Sequence, residues 1–382
     1  MAVKIIRQPK KIALLGAPTS AAAMSLGHEG APSALRAAGL LDRLRTLGYE
    51  VIDHGDDPPQ LYKPDEESPR ARNLPSVVAA LEALKPRVEA AVKSLALPVI
   101  VSGDCSVALA TVAGARRYFR NVSMIYMDRD ADLHTPATTP SGCVDGMVVS
   151  HLTGRGAAEL VRFWSEPPLI REPDLALFGV ARLDPPEQQW LERSPLRRYL
   201  ASDVRRMGAA AAAQAAIERI HANGYEFILH FDVDVIADFQ ATNYPGSGGL
   251  ALDEVREALE VFLTQKHLAA MEITAYNPTK DPDGSSAKLI LDLLADIFRA
   301  RAEAVKQEAA VAAAAVPDGT QADAPPPSAK PEAANESSEP PTAPEVVPGE
   351  AWTSEGLQET GETETTSEAV GPANNERDEK TS

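Results

Sequence analysis

MIYMDRDADLHTP, residues 124–136, is an apolar run that stops at Asp128 and then places Asp130 and Asp132 at alternate positions. On an extended chain alternate side chains share a face, so this spacing predicts three carboxylates converging at the end of a buried strand. FILHFDVDV, residues 227–235, repeats the pattern with Asp232 and Asp234. Two buried strands, each ending in D-x-D, direct five carboxylates toward one edge of a sheet. Like charges at close range raise each other's pKa, and a pair of divalent ions relieves the repulsion because carboxylates can bridge them. Two ions would also polarise a shared water toward hydroxide near neutral pH. All-oxygen ligation suits Mn²⁺ or Mg²⁺. The plain alternative, acidic loop residues that happen to follow strands, is favoured for one such motif and disfavoured by two.

Working outward, short apolar runs alternate with amphipathic stretches. Strands are predicted at Lys11–Gly16, Tyr49–Asp53, Pro98–Val101, Val122–Asp128, Leu175–Val180, Phe227–Val235 and Leu268–Thr274, with a short one near Tyr199–Ala201. Several are apolar on both parities, as strands covered on both faces should be. Helices are predicted at Pro32–Leu41, Leu74–Ser94, Ser106–Tyr118, Pro186–Glu192, Ala209–Asn223, Leu252–Thr264 and Ser285–Glu308. This alternation predicts an α/β fold of three layers, α/β/α, around a mostly parallel sheet of about eight strands. Ligands in such folds collect at the carboxyl ends of the strands.

The chain has 382 residues and a formal charge of −18, unevenly spread. From Val316 to Ser382 there are 15 acidic and 3 basic residues, so the rest is only mildly acidic. No basic patch points to nucleic acid or membrane. The expected organisation is a domain over residues 1–310 and a disordered acidic tail over 311–382. The tail is rich in Pro, Glu, Ser, Thr and Ala and lacks the apolar surface needed to offset ordering. It reads as a solvated tail, with partner binding as the alternative. Two cysteines, Cys105 and Cys143, form no disulfide framework and imply a reducing compartment. With no long apolar core near the start and no run of about 18 apolar residues, the expected location is the cytoplasm.

A third segment, VIVSGDCSVALAT (residues 99–111), turns from strand to helix through Ser102, Gly103 and Asp104, with Cys105 at the turn. A thiolate there could ligate a metal or act as a nucleophile. A small buried apolar residue is the commoner role of a lone cysteine.

Taken in order, these segments resemble the ureohydrolases, the family of arginase, agmatinase and formiminoglutamase. The resemblance spans residues 11 to 300. LLGAPTS and GHEGAPSALRAAGLLDRL look like the family's first strand, glycine-bearing loop and first helix. SGDCS resembles G-G-D-H-S, DRDADLHTPATTPSGCVDGM resembles the D-A-H-A-D segment with the substrate loop behind it, and HFDVDV resembles S-F-D-V-D. GVARLDPPE, GSGGL and AMEITAYNP look like later signatures.

The resemblance implies metal ligands at Asp128, Asp132, Asp232 and Asp234, with Asp128 and Asp232 bridging two Mn²⁺ ions. It matches Glu272 to the acid that pairs with the substrate guanidinium. Asp184 matches a residue near the amino end of an amino-acid substrate, and Ser141 part of the loop at the substrate's far end. Cys105 and Asp130 stand where the family has histidine ligands; either can itself ligate. Asp145 replaces an acid–base histidine, His134 and Cys143 replace asparagines of the substrate segment, and Arg129 replaces a small residue. His134, two residues past Asp132, is positioned to supply a nitrogen ligand or acid–base group, or is an exposed loop histidine. The implied activity is hydrolysis of a guanidino or other linear amidine C–N bond, by a homo-oligomer.

The competing reading is a non-catalytic relative that binds or regulates, with Arg129 partly neutralising the aspartates. A dinucleotide-binding dehydrogenase is disfavoured because GAPTSAAAMSLG (residues 16–27) lacks G-x-G-x-x-G spacing. A Cys105 thiol hydrolase lacks a visible histidine-based triad.

Overall fold

Eight strands order themselves as one all-parallel sheet in the computed structural model of the chain, which describes residues 10–220 and 225–314. They are β1 (Lys11–Ala17), β2 (Glu50–Asp56), β3 (Leu97–Ser102), β4 (Val122–Met127), β5 (Leu175–Val180), β6 (Arg197–Leu200), β7 (Glu226–Asp232) and β8 (Leu268–Thr274). Their spatial order is β2-β1-β3-β8-β7-β4-β5-β6. Parallel pairing brings every carboxyl end to the same edge. The order also places the four strands that carry the chemical motifs (β3, β8, β7 and β4) side by side at the sheet's centre. The chain passes from β3 to β4 across the two positions that β8 and β7 fill, which is the kind of topological switch where ligand crevices open.

Side chains of successive residues alternate between two cores. Ile125, Met127, Leu229 and Phe231 pack with Leu259, Phe262 and Ile297 on one face. Met124, Tyr126 and Ile228 pack with Leu81, Leu84 and Leu109 on the other. The α/β/α layering therefore follows from strands that are apolar on both parities. Among the described residues, no helix is long and apolar enough to cross a membrane.

Several expected boundaries move, each for a local reason. The predicted helix Pro32–Leu41 is two helices, Ala31–Ala37 and Leu40–Thr46, because Gly39 takes a left-handed φ of 99° between them. Ser106–Tyr118 contracts to Ala108–Ala115, and Ala201 opens the unforeseen helix Ala201–Met207 instead of ending a strand. Two more short helices, Val148–Leu152 and Ala158–Val161, lack the length for a clear period. The last helix, Ser285–Ala314, runs past the expected domain boundary at 310. The described residues all fall within one compact unit, Met1–Asp318. The expected tail from 315 onward, and the expected helix end at Asn223, lie outside the described residues.

The consequential correction concerns the aspartates. β4 stops at Met127, so Asp128, Asp130 and Asp132 are not alternate residues of a strand. They follow a turn in which Asp132 has a φ of 50°. β7 likewise stops at Asp232, and Val233–Val235 form a 3₁₀ turn. The physical reason is the same in both places. The first aspartate accepts the backbone N–H two residues on, Asp130 N to Asp128 Oδ1 and Asp234 N to Asp232 Oδ1, each at 2.7 Å. An aspartate that bonds its own backbone this way competes with the strand ladder and ends it.

Candidate metal centre and cavity

A cavity of about 430 Å³ opens at this carboxyl edge. Asp128, Asp130, Asp132, Asp232 and Asp234 all line it, with Cys105, Cys143, His134, Ser141, Asp145 and Asp184. The folded chain therefore brings together every candidate residue except Glu272.

Asp104, at the end of β3, repeats the local device, accepting the Ser106 N–H on Oδ1. Its other oxygen takes Thr19 Oγ1 at 3.0 Å and the Ala22 N–H at 3.1 Å, tying the loop after β1 to the turn after β3. Gly103 lets the backbones meet, since a Cβ there would sit 1.8 Å from the Thr19 carbonyl. The turn points Cys105 into the cavity, where Sγ donates to Asp232 Oδ2 at 3.0 Å. The Cys105 N–H donates to Asp145 Oδ1 at 2.8 Å.

The electrostatics are those of crowded acid. Burial, then Asp232 and Asp132, pushes Asp128 well above the usual carboxylate range. Burial, then Asp145, does the same to Asp132, whose Oδ2 accepts the Tyr126 hydroxyl at 2.5 Å. Burial, then Asp232, raises Asp234, and burial, then Asp145 and Asp232, raises the Cys105 thiol. Burial, then Asp104, brings Asp145 up to about 7. Such a cluster holds protons or cations.

Among the described residues, three groups of ligand atoms lie close enough to share an ion: Cys105, Asp128, His230 and Asp232; Asp128, Asp130 and Asp234; and, at the cavity wall, His134, Asp184 and Glu187. The second group already faces cations. Arg129 is 3% exposed, with Nη2 3.3 Å from Asp130 Oδ2 and 3.5 Å from Asp234 Oδ2. Burial opposes the charge on Arg129, but Asp234 and Asp130 outweigh it and raise its pKa. Arg182 Nε reaches Asp130 Oδ1 at 2.8 Å. Asp130 therefore sits at the cavity as the anchor of two guanidinium groups.

His134 is buried against the cavity wall, with Nε2 3.0 Å from Asp184 Oδ2 and Nδ1 3.2 Å from Thr138 Oγ1. Asp184 caps the helix Pro185–Leu191, whose Glu187 carboxylate accepts the N–H groups of Leu133 and Asp184. Of the two sequence readings, the exposed loop histidine is thereby excluded. Ser141 Oγ accepts the Cys143 N–H at 3.1 Å, holding the far loop in a tight turn.

Glu272 is the correction. It is fully buried in the middle of β8, two residues short of the strand end, and does not line the cavity. Register pairs it with His230 on β7, and its Oε2 lies 2.6 Å from His230 Nδ1. Thr274 occupies the strand tip instead, opposite Asp232 and 3.4 Å from Cys105 Sγ. Sequence reasoning missed His230, Thr274, Arg182 and Tyr244, the last bonded to Asp145 through its hydroxyl. A signal existed for His230: H-x-D at residues 230–232 puts both side chains on one face of β7. Nothing local marked Arg182 or Tyr244, which arrive from loops distant in sequence.

The sequence profile of the arginase family matches residues 10–299. Arginase of Staphylococcus aureus (strain COL) is 29% identical over 299 residues, covering 76% of this chain and 97% of the relative. Arginase of Bacillus subtilis is 28% identical over 292 residues, covering 76% and 98%. Among solved structures, native Bacillus caldovelox arginase superposes with a TM-score of 0.70 at 28% identity, covering 76% of this chain and 98% of that one. A Trypanosoma cruzi formiminoglutamase with Mn²⁺ shares the fold, with a TM-score of 0.60 at 18% identity.

Proposed function

Because the chain belongs to the arginase family, we propose that it is a metal-dependent hydrolase that cleaves a C–N bond of a guanidino or other linear amidine compound. The observation that carries this reading is the convergence of five aspartates, Cys105 and Asp145 on one cavity of about 430 Å³. An acidic cavity of that size suits a small cationic amidinium.

Cys105, Asp128, His230 and Asp232 fit a divalent ion, since they offer a sulfur, a nitrogen and two carboxylates close together beneath a cavity. An ion held there would supply the polarisation that turns a bound water into a nucleophile near neutral pH. The remaining work falls to the chain. Asp145, fixed by the Cys105 N–H and the Tyr244 hydroxyl, faces the cavity and takes over the pairing with an amidinium that the family resemblance had assigned to Glu272. His134 is held in one orientation by Asp184 and Thr138, so that it can pass a proton to a departing amine. Cys143 and Ser141 lie where the far end of a substrate would reach, and an altered far end predicts a substrate other than arginine itself. Self-association follows the family resemblance and is read by light scattering.

The test uses the full-length protein with Mn²⁺ and a panel of arginine, agmatine and related guanidino compounds, with urea and amine release as readout. Release from one compound, lost on adding chelator, is the expected result. Silence across the panel overturns the catalytic reading. One observation favours a second reading, a binding or regulatory protein on the same fold: Arg129 and Arg182 already neutralise part of the aspartate cluster. That reading predicts ligand binding without product.

A further inference from the structure

The two halves of the aspartate cluster are not alike, and the difference lies in what neutralises them. On the thiol side, Cys105 Sγ, Asp128, Asp232 and His230 offer one sulfur, one nitrogen and two carboxylates within reach of one another. His230 is fully buried, stacked on Tyr126 with ring centroids 4.2 Å apart, so its ring plane is fixed. Its Nδ1 lies 2.6 Å from Glu272 Oε2, also fully buried, while Nε2 faces Thr274 Oγ1 at 3.4 Å. A carboxylate behind an imidazole is the usual support of a metal-ligating histidine, because it sets the tautomer and raises ligand basicity. This gives the buried Glu272 a purpose that its position in mid-strand otherwise lacks.

On the other side, Asp130 and Asp234 face the guanidinium of Arg129. Asp234 Oδ1 and Arg129 Nη1 are both buried without a hydrogen-bond partner among the described residues. The Arg129 position is built in: a Cβ on Gly246 would sit 2.1 Å from Nη1, so that glycine keeps the space open. Asp130 is shared further with Arg182. A divalent ion bound to Asp128, Asp130 and Asp234 would have to lie beside a buried guanidinium, and like charges in a low-dielectric site repel strongly.

We propose that this chain holds one divalent transition-metal ion, ligated by Cys105, Asp128, His230 and Asp232, and that the Arg129 guanidinium supplies the second positive charge. This departs from the two-manganese arrangement that the resemblance implies. A sulfur and an imidazole among the donors shift the preference from Mn²⁺ toward Zn²⁺ or Co²⁺. Binding converts the Cys105 thiol to a thiolate, and the proton now directed at Asp232 leaves to solvent. The inference rests on the metal-dependent reading above, but its test counts ions and not product.

Full-length protein is stripped with chelator and titrated with Co²⁺, and separately with Mn²⁺, by calorimetry and absorption. The expected result is a single equivalent of Co²⁺ with a thiolate-to-cobalt absorption band, bound more tightly than Mn²⁺. Cys105→Ser abolishes the band, and Glu272→Gln weakens binding about 10- to 100-fold through His230. Asp234→Asn leaves the count at one, whereas Arg129→Ala raises it to two. Two equivalents in the unaltered protein overturn the proposal, as does no binding or a single ion without the thiolate band. Should Arg129→Ala fail to fold, the count in the unaltered protein and in Asp234→Asn decides the matter. A count of two with urea release would sink this inference and spare the hydrolase; a count of one without turnover would do the reverse.

Discussion

Individual side chains in this protein are positioned mainly by their own backbone. Asp104, Asp128 and Asp232 each accept an N–H two residues on, which ends a strand and aims the following residues at the cavity. Arg129, like His134 and His230, depends instead on partners from other segments. Removing it would leave Asp234 buried without its cation. Uncompensated buried charge costs about 3–5 kcal/mol, so Arg129→Ala in chelator should lose stability on that scale, read by urea unfolding, and regain part of it when divalent metal is added. His134 belongs to the same scale. Loss of a positioned proton carrier costs about 10²–10⁴ in rate, so His134→Ala should lower kcat by that factor on whichever guanidino compound is turned over, with the substrate KM little changed. An unaltered kcat would assign the Asp184–His134 pair to structure alone.

At the scale of elements, the sheet's strands pack through alternating apolar residues into two cores, and the connections decide where helices begin. Gly39 separates two short helices at φ 99° with nothing within 4 Å of where a Cβ would be, so only backbone strain opposes a side chain there. A non-glycine residue in the left-handed region costs about 1–2 kcal/mol, and Gly39→Ala should lower stability by that amount without changing the metal count. Strand register matters equally. β7 and β8 pair His230 with Glu272 and Asp232 with Thr274, which puts the imidazole and its carboxylate one layer below the cavity floor. Glu272 illustrates why a motif match can mislead: an acid near the end of a strand is placed by register, and two residues separate a cavity wall from a buried support.

For the molecule as a whole, buried neutral histidines set an acid limit. His28 accepts the Asn243 N–H on Nε2 at 3.0 Å, and burial, then Lys280, brings its pKa down from 6.5 to about 3. His151 accepts the Ala157 N–H at 3.1 Å, and burial brings it to about 4. Each folded-state value is below the unfolded one, so the unfolded chain takes up the proton first as pH falls. The stability these groups contribute is complete above 6.5 and is lost on acidification toward about 3 for His28. Each contributes a slope of at most about 1.4 kcal/mol per pH unit. His28→Gln should therefore flatten the dependence of unfolding free energy on pH between about 6 and 4; an unchanged slope would show that His28 is protonated in the folded protein.

The sequence pattern alone determined the layers, the parallel sheet and the five aspartates of the cavity, while the family resemblance supplied Ser141, Cys143, Asp145 and Asp184. The layers, the sheet and the aspartates depend on local periodicity: apolar runs on both parities demand helices on both faces, and acidic residues at strand ends must gather at one edge of a parallel sheet. The resemblance also marked Cys105 and Arg129 as departures. Only the tertiary structure decided what those departures mean. It showed that Asp128, Asp130 and Asp132 follow a turn, that Glu272 lies beneath the cavity against His230, and that Arg129 enters the space between Asp130 and Asp234. Contacts of that kind join residues up to about a hundred positions apart, and their geometry is set by strand order and register, which no local pattern of residues encodes.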